Sequence, residues 1–366
     1  MILTFHSGSG DSVMMDLYIQ TIESLTNKNN IIVTLPSFLK DYKDINKFKM
    51  GIIEDFSKKS KIKLRLELIL FSIKLYNICK KNDVKKIFIM CENNWHIIYL
   101  IPIIKLLNLE IYIWVHDPVL HSGERKVIKR ARKLIDRYII KKAIKIIVSY
   151  EEAKEILIKE YEINSNNINV IWLPELKNAE FPQLREKSSI IYDCIFFGRI
   201  EAYKGIDIFI NSLKFIKEKY GYNGRALIVG RGQEAKKVKD IIKNNNLNIN
   251  FINEYVTNYD LAKYINSSKI VILPYKDATG TQTVQIANYY KKPVIANNVG
   301  SFKEYVTKDN GILLRNLNDK ELGECIYKLI KDDILYNNKI KSIDKFFYEN
   351  FSSEKFNEKL NKIITK

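Results

Sequence analysis

Two cations stand at positions 199 and 204 in the stretch Phe197-Gly198-Arg199-Ile200-Glu201-Ala202-Tyr203-Lys204-Gly205. An apolar run ending at Phe197 precedes them, and Ile206, Phe209, Ile210 and Leu213 follow at helical spacing, which places both cations on a loop between a strand and a helix. From such a loop Arg offers a planar fork and Lys a point charge, together able to neutralise a diphosphate. Surface solvation is the plainer alternative for the same two residues.

A second polar stretch lies in residues 269–304. Residues 270–273 are an unbroken apolar run ending in Pro274, the profile of a parallel strand buried on both faces. Asp277, Ala278, Thr279, Gly280 and Thr281 then supply hydroxyls, a glycine and backbone amides where a helix is expected to begin. A helix start favours an anion through its N–H groups and its dipole. Val284, Ile286 and Ala287 can face the sheet from that helix, and the next strand, 293–296, ends at Asn297 and Asn298, with Gly300 beyond. This is a βαβ unit carrying its polar groups at the carboxyl end of a sheet, where open α/β proteins place ligands. The expected ligand is anionic.

The first half of the chain has two polar strand ends. Residues 1–5 form an apolar strand that runs into His6-Ser7-Gly8-Ser9-Gly10-Asp11, with a helix from Val13; two glycines let a backbone approach a ligand, although they equally make a tight turn. The buried run 110–115 ends at His116-Asp117-Pro118, which puts His116 at the ligand-bearing edge, or makes it a loop histidine bonded to its own aspartate. His6, His96 and His121 complete the four histidines, all within the first 121 residues. No His-x-x-x-His pair shares a helix, which argues against a zinc site.

These groups need a scaffold, and the pattern supplies one. Apolar strands at 31–35, 86–91, 110–115, 145–148 and 169–173 alternate with helical stretches at 63–80 and 97–107, the mark of a doubly wound parallel sheet. Residues 174–189 hold two prolines and many charges with little periodicity, and read as a linker. Alternation resumes at 190: the strand 225–229 turns at Gly230-Arg231-Gly232, 249–252 leads to Glu254-Tyr255-Val256, and Tyr259 opens a helix. The fold class is α/β with two such sheets. Domains are expected at 1–173 and 190–340, with a helical segment at 341–366.

At 366 residues and 46% hydrophobic, the chain can bury two cores. Cys79, Cys91, Cys194 and Cys325 form no CxxC pair, so a reduced cytoplasmic protein is expected. No signal-like start and no run of eighteen apolar residues is seen. The net charge is +18, and residues 124–147 hold ten Lys or Arg against two acids. Lys58, Lys59, Lys61, Lys63 and Arg65 form a smaller cluster. A solvated helix face, attraction to an anionic membrane surface, and nucleic-acid binding all remain open for these clusters. The last is disfavoured because no RNA- or DNA-binding signature accompanies them.

The motifs also resemble those of the retaining GT-B glycosyltransferases of family 4. Phe197, Gly198, Arg199, Lys204 and Gly205 match the pattern F-G-R-x-x-x-x-K-G. Lys292-Pro293-Val294-Ile295-Ala296 matches the strand K-P-V-I-A, and Gly300 to Glu304 match G-G-x-x-E in part. Asp277 stands for the first glutamate of E-G-F-G-x-x-x-x-E, Gln285 for the second, and the helix is one residue longer before its proline. The motifs cover residues 190–330.

What the resemblance implies is a GT-B fold, two Rossmann-like domains facing across a cleft, with the terminal helix folded back on the first domain. The implied activity moves a sugar from a nucleotide-diphosphate donor, a UDP- or GDP-sugar, to the hydroxyl of a glycan or lipid-linked glycan; separately, the basic first domain is compatible with such an acceptor at the cytoplasmic face of a membrane. By the same resemblance Arg199, Lys204 and the amides near Gly280 hold the donor diphosphate, and Gly8, Ser9, Gly10, Gly198, Gly230 and Arg231 are further donor-binding residues. Tyr255 and Val256 lie at the base, Gln285 at a ribose hydroxyl, and Asp277, Thr279, Gly280 and Thr281 among the donor-binding residues. His116 is implied at the transferred sugar and, with Asp117, at the acceptor. His116, Arg199, Lys204 and Asp277 are the catalytic candidates. No cofactor or metal is implied: the cations serve the leaving diphosphate, and no D-x-D pair occurs. A catalytically silent binding partner of an active transferase, and a non-hydrolysing nucleotide-sugar epimerase, are the two alternatives.

Overall fold

The apolar runs of the sequence form parallel strands in two sheets. The computed structural model describes residues 1–5, 12–26, 31–36, 49–53, 61–90, 95–116, 118, 126–177, 181 and 189–364. It divides into two units, Met1–Trp172 with Phe356–Lys366, and Leu173–Lys355.

The first unit runs β1 (Ile2–Phe5), α1 (Ser12–Thr26), β2 (Ile31–Pro36), β3 (Lys49–Ile53), α2 (Lys61–Lys81), β4 (Lys86–Ile89), a 3-10 turn (Trp95–Tyr99), α3 (Ile101–Leu106), β5 (Glu110–Val115), α4 (Lys126–Lys142), β6 (Lys145–Val148), α5 (Glu151–Tyr161) and β7 (Ile168–Val170). Among the described residues its seven strands lie in the order β3-β2-β1-β4-β5-β6-β7, all parallel. Consecutive residues 111–115 are all buried, as a strand covered on both faces requires.

Two differences from the sequence pattern have local causes. The helix expected at 97–107 is broken into the 3-10 turn and α3 because Pro102 occupies the first turn of α3, where its missing N–H leaves no helical bond to make. The edge strand β3 was not foreseen, because KMGII is short and interrupted by glycine. The chain end also joins this unit. Phe356 sets its ring 5.9 Å from Trp114, Asn361 Nδ2 donates to Ser24 Oγ at 2.9 Å, and Lys86 Nζ donates to the Ile364 carbonyl at 3.0 Å.

The second unit runs β8 (Tyr192–Phe197), α6 (Ile206–Tyr220), β9 (Ala226–Val229), α7 (Ala235–Asn245), β10 (Ile249–Ile252), α8 (Asn258–Asn266), β11 (Ser268–Leu273), α9 (Thr283–Tyr289), β12 (Val294–Ala296), α10 (Phe302–Tyr305), β13 (Gly311–Leu313), α11 (Asp319–Lys331), α12 (Asp333–Phe351) and the start of α13 (Ser353–Ile364). The strand order is β10-β9-β8-β11-β12-β13, again all parallel. From β8 the chain winds outward to β10, then returns beside β8 as β11 and winds the other way. That change of direction puts a switch point at the carboxyl ends of β8 and β11, the place where open α/β sheets bind ligands.

The segment expected as linker is in part structural. Leu173 N donates to Tyr305 Oη at 3.1 Å, and Glu175 N to the Phe351 carbonyl at 2.7 Å. The Glu175 carboxylate accepts from Ser353 N and Oγ, each at 3.0 Å. These bonds place Leu173 to Glu175 inside the second unit.

Candidate functional site

The loops leaving β8 and β11 flank the switch point of the second sheet, and backbone bonds fix them to each other. Lys276 N donates to the Tyr203 carbonyl at 2.7 Å, and Ile200 N to the Arg231 carbonyl at 3.0 Å. Gly205 has φ +66°, and a Cβ there would lie 1.9 Å from the Pro274 carbonyl oxygen. Gly230, at φ +142°, would likewise press 1.9 Å from the Gly198 oxygen. Only glycine permits both the left-handed backbone and the close approach.

Lys204 ends the short 3-10 turn Ala202–Lys204 and is half-buried. Its ammonium sits 3.6 Å above the centroid of Tyr275 and 5.1 Å from that of Tyr203. Tyr275 is itself fixed by Phe302, whose ring centroid is 5.1 Å away. Arg199 is exposed and donates through Nη2 to Tyr203 Oη at 3.3 Å. Burial, with the repulsion of Arg199 added, pushes the Lys204 ammonium down to a pKa of about 7. Among the described residues no carboxylate forms an ion pair with either cation. Two neighbouring positive groups, one of them over the Tyr275 ring and neither in an ion pair among the described residues, are complementary to a dianion.

The loop 274–282 offers its polar groups on the other side of the switch point. Asp277 is exposed, and Ala278, Thr279, Gly280 and Thr281 are half-buried. Asn297 Nδ2 donates to the Tyr275 carbonyl at 2.8 Å, and Ser301 Oγ to the Thr279 carbonyl at 2.9 Å. Those bonds hold the loop open, and the expected helix therefore starts later, at Thr283. The amides near Gly280 belong to a loop, not to a helix terminus.

Gln285 is the residue that the resemblance implied at a ribose hydroxyl. It is fully buried, and its Nε2 donates to the Leu173 carbonyl at 2.9 Å. Gln282, one turn earlier, donates to the Pro174 carbonyl at 2.9 Å. In this conformation the Gln285 amide holds backbone. Tyr203, Tyr275, Gln282, Asn297 and Ser301 form the frame of the site; of these the sequence pointed only to Asn297, as a polar group at a strand end, and it assigned no binding role to any of them. Tyr203 beside Lys204 and Tyr275 beside the strand end were the available signals.

Farther along the same sheet edge, Arg231 leaves β9 and Tyr255 follows β10. The Arg231 guanidinium lies 5.9 Å from the Tyr255 ring, which is 84% exposed; Val256 is half-buried. A cation and an open aromatic face can stack a flat ring. The strand order puts this pair, the Arg199 and Lys204 pair and the Asp277 loop in one row.

In the first unit His116 caps β5 and is half-buried. The following chain is held where Tyr161 Oη donates to the Pro118 carbonyl at 3.2 Å. Gly8, Ser9, Gly10, Asp117, His6, His121 and Cys91 lie outside the described residues, as does the side chain of His96.

Comparison with known proteins bears on this site. Residues 177–346, which fall inside the second unit, match the family model described as Glycosyl transferases group 1. A capsular polysaccharide biosynthesis glycosyltransferase, CapM of Staphylococcus aureus, is 26% identical over 209 residues, covering 53% of this chain and 54% of CapM. An uncharacterized glycosyltransferase of Methanocaldococcus jannaschii is 25% identical over 238 residues, covering 62% of this chain and 58% of the relative. The chain thus spans less than two thirds of the length of either curated relative.

Among solved structures, Anabaena HepE in complex with UDP superposes with a TM-score of 0.72 at 14% identity, covering 100% of this chain and 99% of HepE. Sucrose-phosphate synthase from Thermosynechococcus elongatus gives 0.72 at 15% identity, covering 100% and 98%. The chain has the GT-B fold of two Rossmann-like domains, and its second unit matches the glycosyl transferases group 1 family over residues 177–346.

Proposed function

We propose that the chain is a retaining glycosyltransferase that moves a sugar, of the hexosyl type, from a nucleotide-diphosphate donor to the hydroxyl of a glycan or lipid-linked glycan. The observation that carries this reading is the Arg199 and Lys204 pair at the switch point of the second sheet, close together without a carboxylate partner among the described residues. A diphosphate placed there would receive a guanidinium fork and an ammonium, and the negative charge that grows as the sugar departs would be stabilised by the same two groups. Tyr255 with Arg231 would take the base, and Asp277, Thr279, Gly280 and Thr281 the ribose and sugar hydroxyls. His116 is the candidate group of the first unit. The HepE structure with UDP supports uridine as the first base to test, and CapM supports a cell-surface polysaccharide as the product class.

A second reading, a GT-B protein that binds a nucleotide sugar without turning it over, is favoured by Gln285, whose amide is engaged by the Leu173 carbonyl. A thermal-shift panel of UDP, GDP, TDP and CMP with their sugars tests the first step: a ligand at a hundred times its dissociation constant should add about 2.7 kcal/mol. Arg199→Ala should abolish that shift. Turnover of the stabilising donor, with the anomeric configuration of the product read by NMR, separates a retaining transferase from a silent binder. Stabilisation by none of the nucleotides would remove both readings.

A further inference from the structure

Helix α2 has two apolar faces, although it lies on the outside of the first sheet. Leu68, Leu75 and Cys79 point into the core, with Phe71, Tyr76 and Ile78 packed against it. On the opposite side Leu66, Ile69, Leu70 and Ile73 repeat at i, i+3, i+4 and i+7 and are 58%, 48%, 65% and 54% exposed. That spacing draws one stripe about 10 Å long down the outer face. Large aliphatic side chains grouped in this way, unlike single exposed ones, mark a surface that meets a partner. The neighbouring 3-10 turn and α3 add exposed Ile98 and Leu106 on the same side of the sheet.

The charges around the stripe select the partner. Arg65 and Lys74 are exposed beside it, and Lys80 and Lys81 are exposed where the same helix face continues toward the C-terminus. Exposed Lys105 on α3 adds another. A second copy docking by two-fold symmetry would bring this basic rim against itself. Nucleic acid would complement the cations and leave the aliphatic stripe in water. An anionic bilayer satisfies both parts, since phosphates meet the basic rim and the acyl boundary receives Leu66, Ile69, Leu70 and Ile73. Among the described residues no helix is long and apolar enough to cross a membrane, so the mode open to α2 is to lie in the interface.

We infer that the outer face of α2 docks the first unit on an anionic lipid surface through the stripe Leu66, Ile69, Leu70 and Ile73. The inference rests on this surface and not on the transferase reading, and its readout is binding, so each can fail without the other. Flotation with phosphatidylcholine vesicles, and with vesicles in which about a third of the lipid is phosphatidylglycerol, tests it on the full chain.

The wild type should float with the anionic vesicles at least about tenfold more than with the neutral ones. Leu66→Ser, Leu70→Ser and Ile73→Ser together should lower that fraction about tenfold or more, with unfolding temperature unchanged because the side chains are exposed. Should the triple variant not fold, Leu70→Ser alone serves, read in the same assay. Lys74→Glu with Lys80→Glu should narrow the preference for anionic lipid. Equal recovery with both lipids, a triple variant that floats as the wild type does, or a dimer in light scattering that the triple variant dissolves would each overturn the inference.

Discussion

Lys204 is held at a pKa of about 7 by burial and by Arg199, against 10.5 for an ordinary lysine. The unfolded chain keeps the proton throughout that window while the folded site releases it, so this group destabilises the fold below about pH 7 and the penalty is relieved as pH rises toward 10.5. Ligand binding has the opposite sense: a diphosphate over Lys204 restores the charged form, and a proton must be taken up wherever the empty site has lost it. The apparent dissociation constant for UDP should therefore rise with pH between about 7 and 9, by up to about tenfold per unit. Calorimetry in two buffers of different ionisation enthalpy measures the uptake directly, and Lys204→Arg should flatten the dependence. A flat wild-type curve would mean that Lys204 stays charged without ligand. At this scale Arg199 and Lys204 were legible in the sequence because a strand end and a helix start bracket them. Tyr275 was not, since nothing local to Pro274-Tyr275 announces that its ring will lie 3.6 Å beneath an ammonium from a loop seventy residues away.

Helix α9 shows how an element can be found in the sequence and its purpose missed. Its apolar positions, Val284 and Ala287, are buried as the pattern requires, yet its start and the direction of Gln285 depend on distant partners. Asn297 and Ser301 reach back to the loop carbonyls, while Gln282 and Gln285 point to Pro174 and Leu173. The prolines and charges around 174–189 suggested a linker, and only the tertiary bonds from Tyr305, Phe351 and Ser353 reveal that its first residues are bound. A helix that both follows the 274–282 loop and clamps backbone should not tolerate a carboxylate at 285. Gln285→Glu would bury an acid against the Leu173 carbonyl, with the amide donor gone, and should destabilise the fold by about 2–4 kcal/mol. Urea unfolding of the two proteins measures this. A variant as stable as the wild type, with tighter UDP binding, would show instead that position 285 opens toward the ligand.

For the molecule as a whole, two doubly wound sheets were legible because parallel strands buried on both faces are continuous apolar runs, which neither turns nor distant contacts disguise. The net charge of +18 has a less local consequence. Exposed pairs such as Lys291 with Asp344 and Lys141 with Glu162 are screened by solvent and add little, whereas the uncompensated cations repel one another throughout the folded state and less in the expanded chain. Salt weakens both, but the excess repulsion is the larger, so stability should rise with ionic strength. Raising sodium chloride from about 0.05 to about 0.5 M shortens the screening length from more than 10 Å to a few ångströms, and the unfolding temperature should increase by about 2–5 °C. A fall would mean that surface pairs outweigh repulsion. Inorganic phosphate or diphosphate at matched ionic strength should add a further increase, because it screens and also occupies the cations of the second sheet. Part of that increment reflects exclusion of the anion from the protein surface, and Arg199→Ala separates the two contributions: exclusion survives the substitution, whereas occupancy of the Arg199 and Lys204 pair does not.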